Sequence, residues 1–301
     1  MEYAIETRHL TKTYGKNRGI RDVNLQIPPG EIFGFLGPNG AGKSTTLRTL
    51  TGLMKPTSGE CLIQGIDPHR DPVAAMAQVG NLPTEFTLED RSSGRALVDY
   101  FAALRGVRDT GFADEIANRI GADLDRPVRK LSRGNKQKIG IVLAMFHRPP
   151  VIILDEPTGG LDPLVQEQFL EILVDAKKAG QTVLFSSHVL SEVERIADRV
   201  GIIREGTLIA VEDPHALTAR ALRRVRVRYP EGNTPTQIKE IEQLAGVNHL
   251  SWQPPYLSFD YSGDANALIQ ALAAHPIAMI DIERPSLEEI FLGYYGNGGA
   301  A

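Results

Sequence analysis

The chain has 301 residues, 42% hydrophobic and 23% charged, an ordinary globular composition that excludes wholesale disorder. That length exceeds one typical domain, so one large and one small domain are expected. A net charge of -4 gives no general attraction to nucleic acid or anionic lipid, and no nucleic-acid partner is expected. Cys61 is the single cysteine, so no internal disulfide can form, and its alternating surroundings "GECLIQG" read as a strand with a buried thiol. There is no run of about 18 apolar residues, and "MEYAIETRHLTKTYGK" has no signal-peptide core. The expected location is the cytoplasm.

Residues 1 to about 28 read as short antiparallel strands closed by a Pro-Pro-Gly break. "EIFGFLG" (31–37) is a short apolar strand, and "KSTTLRTLTGL" (43–53) has helical spacing that ends near Gly52. Between about 88 and 148 the patterns are helical ("GRALVDYFAALRG", "ADEIANRI", "NKQKIGIVLAMFH"), which predicts an inserted helical subdomain. Strand and helix then alternate: "VIILD" (151–155), a helix near 163–178, "TVLFSS" (182–187), a helix near 190–198 and "RVGIIREG" (199–206). Alternation of this kind favours a parallel sheet covered by helices, an α/β fold.

Beyond "EDPHALTARAL" the order becomes strand, helix, hairpin, helix, strand, helix, ending in "SLEEIFLGYY". This suggests a small α/β unit of ferredoxin-like order over 222–293, after a first domain at 1–216, with a flexible tail at 294–301. In "RRVRVRY", Arg224, Arg226 and Arg228 alternate with Val225 and Val227, so one strand face is charged and solvated. Trp252 and the helix "ALIQALAAHP" read as core of the small domain.

"GPNGAGKST" (37–45) fits G-x-x-x-x-G-K-[ST] between the predicted strand and helix, the context that gives the pattern its mechanism. Gly37, Gly40 and Gly42 allow turns that aim N–H groups at phosphate oxygens, beside a helix N-terminus that favours anions. Pro38, Asn39, Ala41 and Thr45 complete the loop, Lys43 would reach the β- and γ-phosphates, and Ser44 would meet Mg²⁺. "VIILDEP" delivers Asp155 and Glu156 to a strand end, where ligands gather in open α/β sheets. Strand alternation would send the two side chains apart, Asp155 to Mg²⁺ and Glu156 to the attacking water. His188 falls just past the next strand on the same sheet edge, in reach of a γ-phosphate.

With the phosphate loop, "LSRGNKQKIG", "VIILDEP", "GGLD" and "SSHVLSEVE" in this order, residues from about 3 to 215 resemble the ATP-binding subunits of ABC transporters. The resemblance implies a phosphate-loop NTPase fold of the ABC ATPase type, with an antiparallel β subdomain and a helical subdomain. It also implies an ATPase that uses ATP and Mg²⁺, in which the turn "LSRGN" contacts the γ-phosphate held by the opposite subunit. Ser132, Arg133, Gly134 and Asn135 carry over as that turn, Asp162 as part of the same surface, and Tyr14 as the aromatic that stacks on adenine. A Ser hydroxyl, a glycine and a helix N-terminus suit an anion, worth about 0.3 to 1 kcal/mol for the helix end. A Ser N-cap on an ordinary helix is the competing reading.

This sequence departs from the family at Arg133, where glycine is usual, at Asn135 in place of glutamine, and in "VGNLPTEF" (79–86). In that last stretch the family has a glutamine that touches Mg²⁺, so Thr84 or Glu85 must stand in, and Glu85 is the candidate ligand. The resemblance further implies a separately encoded membrane permease, a second nucleotide-binding subunit (expected to be an identical chain), attachment to the inner membrane face through the permease, and an exporter. The rivals are a soluble ABC-type ATPase acting on ribosomes or DNA, and a nucleotide-gated regulatory module.

Overall fold

Apolar patterning separates two kinds of sheet in the first part of the chain. In the computed structural model, residues 2–15, 17–89, 91–214, 216, 222–230, 238–273 and 276–283 are described. The chain divides into two units, Met1–Asp213 and Pro214–Ala301. The first opens with β1 (Ile5–Tyr14), β2 (Asn17–Ile27), β3 (Ile32–Leu36), α1 (Lys43–Leu50) and β4 (Ser58–Ile63). β1 pairs antiparallel with β2 on one side and β4 on the other. These strands are longer than the sequence reading expects, because register shifts along β1 let the ribbon continue through its irregular points. Cys61 lies on β4 at 1% exposure, and burial pushes its thiol up to about 12.

The chain continues through α2 (Pro72–Ala77), β5 (Val79–Leu82), α3 (Gly94–Arg105), α4 (Gly111–Ile120) and α5 (Arg133–Met145). It then alternates through β6 (Val151–Asp155), α6 (Pro163–Lys178), β7 (Thr182–Ser187), α7 (Leu190–Ile196), β8 (Arg199–Arg204) and β9 (Thr207–Glu212). Six strands form one sheet in the order β5-β6-β7-β3-β8-β9, parallel except for β9. Every residue of β3, β6 and β7 is buried, as a parallel sheet covered on both faces requires. Phe33, Phe35 and Phe185 are fully buried there, each worth roughly 1.5–3 kcal/mol.

Elements α2, β5 and β9 are additions to the sequence-based expectation. All three are short, and β5 is an edge strand that gains its hydrogen bonds only by joining β6. The helical segment starts and stops on local signals. Ser93 Oγ accepts from Ala96 N at 3.2 Å to open α3, and Gly106 (φ 68°) and Gly121 (φ 60°) close α3 and α4 in the left-handed region. Arg105, at the end of α3, donates to Met76 O and Val79 O, both at 3.2 Å, and so fastens this segment to α2 and β5.

The second unit contains β10 (Arg223–Arg228), α8 (Ile238–Glu242), β11 (Val247–Gln253), β12 (Tyr256–Tyr261), α9 (Ala265–Ala273) and β13 (Met279–Glu283). Its antiparallel sheet runs β11-β12-β10-β13. Val225, Val227, Leu257, Phe259 and Tyr261 face a core with Ile241, Leu268 and Leu272, and Trp252 packs at its margin. Arg224, Arg226 and Arg228 are exposed. The helix expected at "SLEEIFLGYY" and the tail 294–301 lie outside the described residues.

His147, just past α5, gives the first unit an acid sensitivity. Burial, with the Arg105 charge second, pulls it down from 6.5 to about 4. Above pH 6.5 both folded and unfolded chains hold it neutral; between about 6.5 and 4 only the unfolded chain takes up the proton, so stability falls as pH falls. Thermal unfolding of wild type and His147→Phe at pH 7 and pH 5 is expected to differ. The wild type loses on the order of 1 kcal/mol more than the variant on acidification, its partial exposure allowed for.

Candidate nucleotide site

Three adjacent parallel strands bring the candidate residues to one edge of the sheet. The registers Leu36↔Ser187 and Asp155↔Ser186 place the ends of β3, β7 and β6 side by side. Beyond these ends lies a cleft of about 380 Å³, lined by the phosphate-loop residues other than Gly37 and Ala41, together with Thr84, Arg133, Gln137, Glu156, Gly159 and His188.

The loop takes its shape from its glycines. Gly40 (φ 80°) and Gly42 (φ 113°) occupy the left-handed region, and Gly42 caps α1. A Cβ on Gly42 would come within 2.8 Å of Ile20 Cγ2, so the position is closed sterically as well as conformationally. Ala41 N bonds Pro38 O at 3.1 Å while the Ala41 side chain is buried, so Ala41 contributes backbone to the loop and no side chain to the cleft lining. Pro38, Asn39, Ser44 and Thr45 line the cleft.

Lys43 is 6% exposed, donates to Gly37 O at 2.6 Å and lies 3.3 Å from Glu156 Oε1. The other oxygen of Glu156 is 2.5 Å from His188 Nδ1. One carboxylate thus stands between a lysine and a histidine at the cleft. Glu156 reaches this place through a left-handed backbone, φ 53°, and not through simple strand alternation: β6 ends at Asp155 and the chain breaks direction at the next residue. A non-glycine residue held there is a strained position of the kind found at functional sites.

Asp155 is 3% exposed. Its Oδ1 accepts from Ser186 Oγ at 2.7 Å, and Ser186 Oγ also accepts from Glu156 N at 3.0 Å. Its Oδ2 is buried with no hydrogen-bond partner among the described residues. A buried carboxylate oxygen of this kind, with the Ser44 hydroxyl lining the cleft, is the hard-oxygen donor set that fits Mg²⁺.

Other candidates lie elsewhere. Glu85 does not line this cleft; it lines a neighbouring one of about 620 Å³ with Phe86, Thr87 and Lys136, while Thr84 borders both. Ser132 Oγ accepts from Asn135 N at 3.3 Å and caps α5; Asp162 Oδ1 accepts from Val165 N at 3.1 Å and caps α6. A Cβ on Gly134 would meet Gly160 O at 2.6 Å, so glycine is needed where these two turns touch. Of the "LSRGN" turn, only Arg133 borders the chain's own cleft. Tyr14 is 39% exposed with its hydroxyl 2.9 Å from Met54 Sδ and 3.4 Å from Thr45 Oγ1.

Sequence reasoning missed Ser186, whose hydroxyl serves both acidic residues, and Gln137, which is buried and donates to Pro157 O at 2.8 Å. The paired serines of "TVLFSS" were the available signal, since two hydroxyls that follow the apolar run "VLF" need partners.

A glycine loop at a strand–helix junction, facing an acidic pair on a nearby parallel strand, defines a nucleoside triphosphatase of the phosphate-loop class. The ABC transporter family model matches residues 20–159. The chain is 37% identical over 207 residues to the lantibiotic transport ATP-binding protein SrtF of Streptococcus pyogenes, covering 68% of this chain and 89% of that protein. It is 31% identical to the bacitracin transport ATP-binding protein BcrA of Enterococcus faecalis, covering 100% of this chain and 99% of that one. Among solved structures, a dimeric bacterial ABC transporter cassette aligns with a TM-score of 0.64 and 27% identity, covering 69% of this chain and 98% of the cassette. The chain belongs to the ATP-binding proteins of ABC transporters: it binds ATP and is an ATPase subunit of such a transporter.

Replacing Ser186 with alanine leaves Asp155 Oδ1 buried without its donor. Urea denaturation of Ser186→Ala is expected to show a loss of about 1–3 kcal/mol.

Proposed function

We propose that this chain drives export through a separately encoded membrane permease, two copies meeting head to tail with two MgATP between them. The observation that carries the hydrolytic part is the Glu156 carboxylate held between Lys43 at 3.3 Å and His188 at 2.5 Å. ATP entering the loop offers its β- and γ-phosphates to Lys43, which turns from Glu156 toward the stronger anion. Glu156 is then free to orient and deprotonate the attacking water, a role typically worth about 10² to 10⁴ in rate. His188, released from the pair, turns to the γ-phosphate. Ser44 and Asp155 would hold Mg²⁺, which supplies charge neutralisation on the phosphates when bound.

The turn at Ser132, Gly134 and Asn135 does not border the chain's own cleft, which supports a role toward ATP on a second copy. An α5 N-terminus capped by an exposed serine offers that copy a hydroxyl and the positive end of a helix. Asp162, capping the helix after the touching turn, belongs to the same surface, and Tyr14 at the loop's margin stacks on the adenine. ATP favours the closed pair, and loss of the γ-phosphate bridge lets it relax.

The names of the relatives, lantibiotic, bacitracin and multidrug transporters, support export. No helix among the described residues is long and apolar enough to cross a membrane. In the same proposal the permease holds the chain at the inner membrane face. The match to the bacitracin protein runs over the whole chain and includes the second unit, which we assign to stabilising or regulating the pair. Neither rival reading is favoured by an observation at the site.

Glu156→Gln is expected to bind ATP yet lose turnover by about 10²-fold or more, while ATP-dependent dimers accumulate in size-exclusion chromatography. Unchanged turnover would remove Glu156 from the role of base; a nucleotide-loaded variant that stays monomeric, alone and with its permease, would remove the head-to-tail pair.

A further inference from the structure

Among the groups the hydrolytic cycle leaves unused, Glu192 is the most constrained. It lies in the first turn of α7 and is 5% exposed. Its Oε2 accepts from Ser187 Oγ at 2.8 Å and from Thr158 Oγ1 at 3.1 Å. Its Oε1 is buried with no hydrogen-bond partner among the described residues.

The two hydroxyls belong to two different segments, Ser187 to the last position of β7 and Thr158 to the turn after β6. Ser187 immediately precedes His188, and its oxygen also accepts from Val189 N at 2.9 Å, so the residues on both sides of the histidine are anchored at one point. Thr158 is 4% exposed and lies in the turn that follows Glu156, which is closed by Gly159 N bonding Glu156 O at 3.2 Å. A single carboxylate oxygen therefore ties the loop of His188 to the loop of Glu156, beneath the point where their side chains meet.

Keeping a carboxyl in this place is costly. Burial pushes Glu192 above the usual carboxylate range, with the hydroxyl donors acting against it and the Glu156 charge adding to the rise. An acidic side chain serving only the positive end of α7 would face solvent, as a helix-dipole contact needs no burial. An apolar residue would fill the space at less cost. What the carboxyl offers that neither alternative does is one acceptor shared by two segments.

We propose that Glu192 is a positioning residue: by fastening Ser187 to Thr158 it sets the distance between His188 and Glu156, and so governs the chemical step and not nucleotide binding. This rests on the reading of Glu156 and His188 as the hydrolytic pair. Misplacement of a reacting group by about 1 Å can cost about 10²-fold in rate, so a bridge of this kind has leverage on turnover.

The test uses the full-length chain, with steady-state ATP hydrolysis and equilibrium ATP binding measured for Glu192→Ala, Glu192→Gln and Glu156→Gln. Glu192→Ala is expected to lower kcat at least about tenfold while KM and ATP affinity stay within about twofold, and Glu192→Gln, which keeps an acceptor oxygen, to recover most of the rate. An alanine variant at wild-type rate, or a glutamine variant as slow as alanine, overturns the inference. If the alanine variant fails to fold, Thr158→Val removes one arm of the bridge in its place; lowered kcat at constant KM supports the bridge, and unchanged kcat overturns it. The Glu156→Gln arm separates the two levels: wild-type turnover there sinks the hydrolytic pair itself, whereas loss of turnover there with an unaffected Glu192→Ala sinks only the bridge.

Discussion

The register of three parallel strands is the constraint on which the site depends. With Asp155 opposite Ser186 and Leu36 opposite Ser187, the phosphate loop, the acidic pair and the histidine emerge at one level of the sheet. A slip of one residue would reverse the facing of every side chain in a strand. Slippage is opposed by the buried apolar residues of β3, β6 and β7, which have no solvated face to exchange into. The Ser186 hydroxyl then locks the ends, since it meets both Asp155 Oδ1 and the Glu156 amide.

Above that level, short side-chain ties pass information between segments distant in sequence. Gln137 on α5 donates to Pro157 O, next to Glu156, and Gly134 at the start of the same helix packs against Gly160 O. The helix that carries "LSRGN" is therefore attached to the turn that follows the acidic pair. Arg105 fastens the other end of the helical segment to the strand that leads to Thr84. These contacts are polar and few, so a shift of the helical segment would be felt at the cleft through identifiable bonds.

Much of this was legible in the sequence because the decisive signals are local. "GPNGAGKST" needs only its own glycines and the strand and helix around it, and "VIILDEP" announces a buried strand ending in acid. What escaped was set by tertiary pairing. β5 is four residues long and exists as an edge beside β6; β9 exists as the antiparallel return of β8. Glu156 could be placed after a strand, but its left-handed backbone could not be foreseen from alternation, which assumes that the strand continues. Glu85 was the attractive choice as an acidic ligand, yet its neighbour Thr84 borders the cleft, a distinction that depends on how the loop leaves the sheet. Ser186 and Ser187 signal in the sequence that two hydroxyls need partners, but which groups they serve depends on the neighbouring strand and helix.

Cys61 has a practical consequence. The chain's sole sulfhydryl is sealed inside the three-stranded sheet and its acidity is suppressed, so oxidants and alkylating agents find no thiolate to attack. A change in cellular redox poise does not reach this subunit through a cysteine. The same silence makes the native chain a clean background for site-directed labels: one engineered surface cysteine at the signature turn would carry a probe alone, and its separation from the corresponding label on a second copy could be followed through the nucleotide cycle.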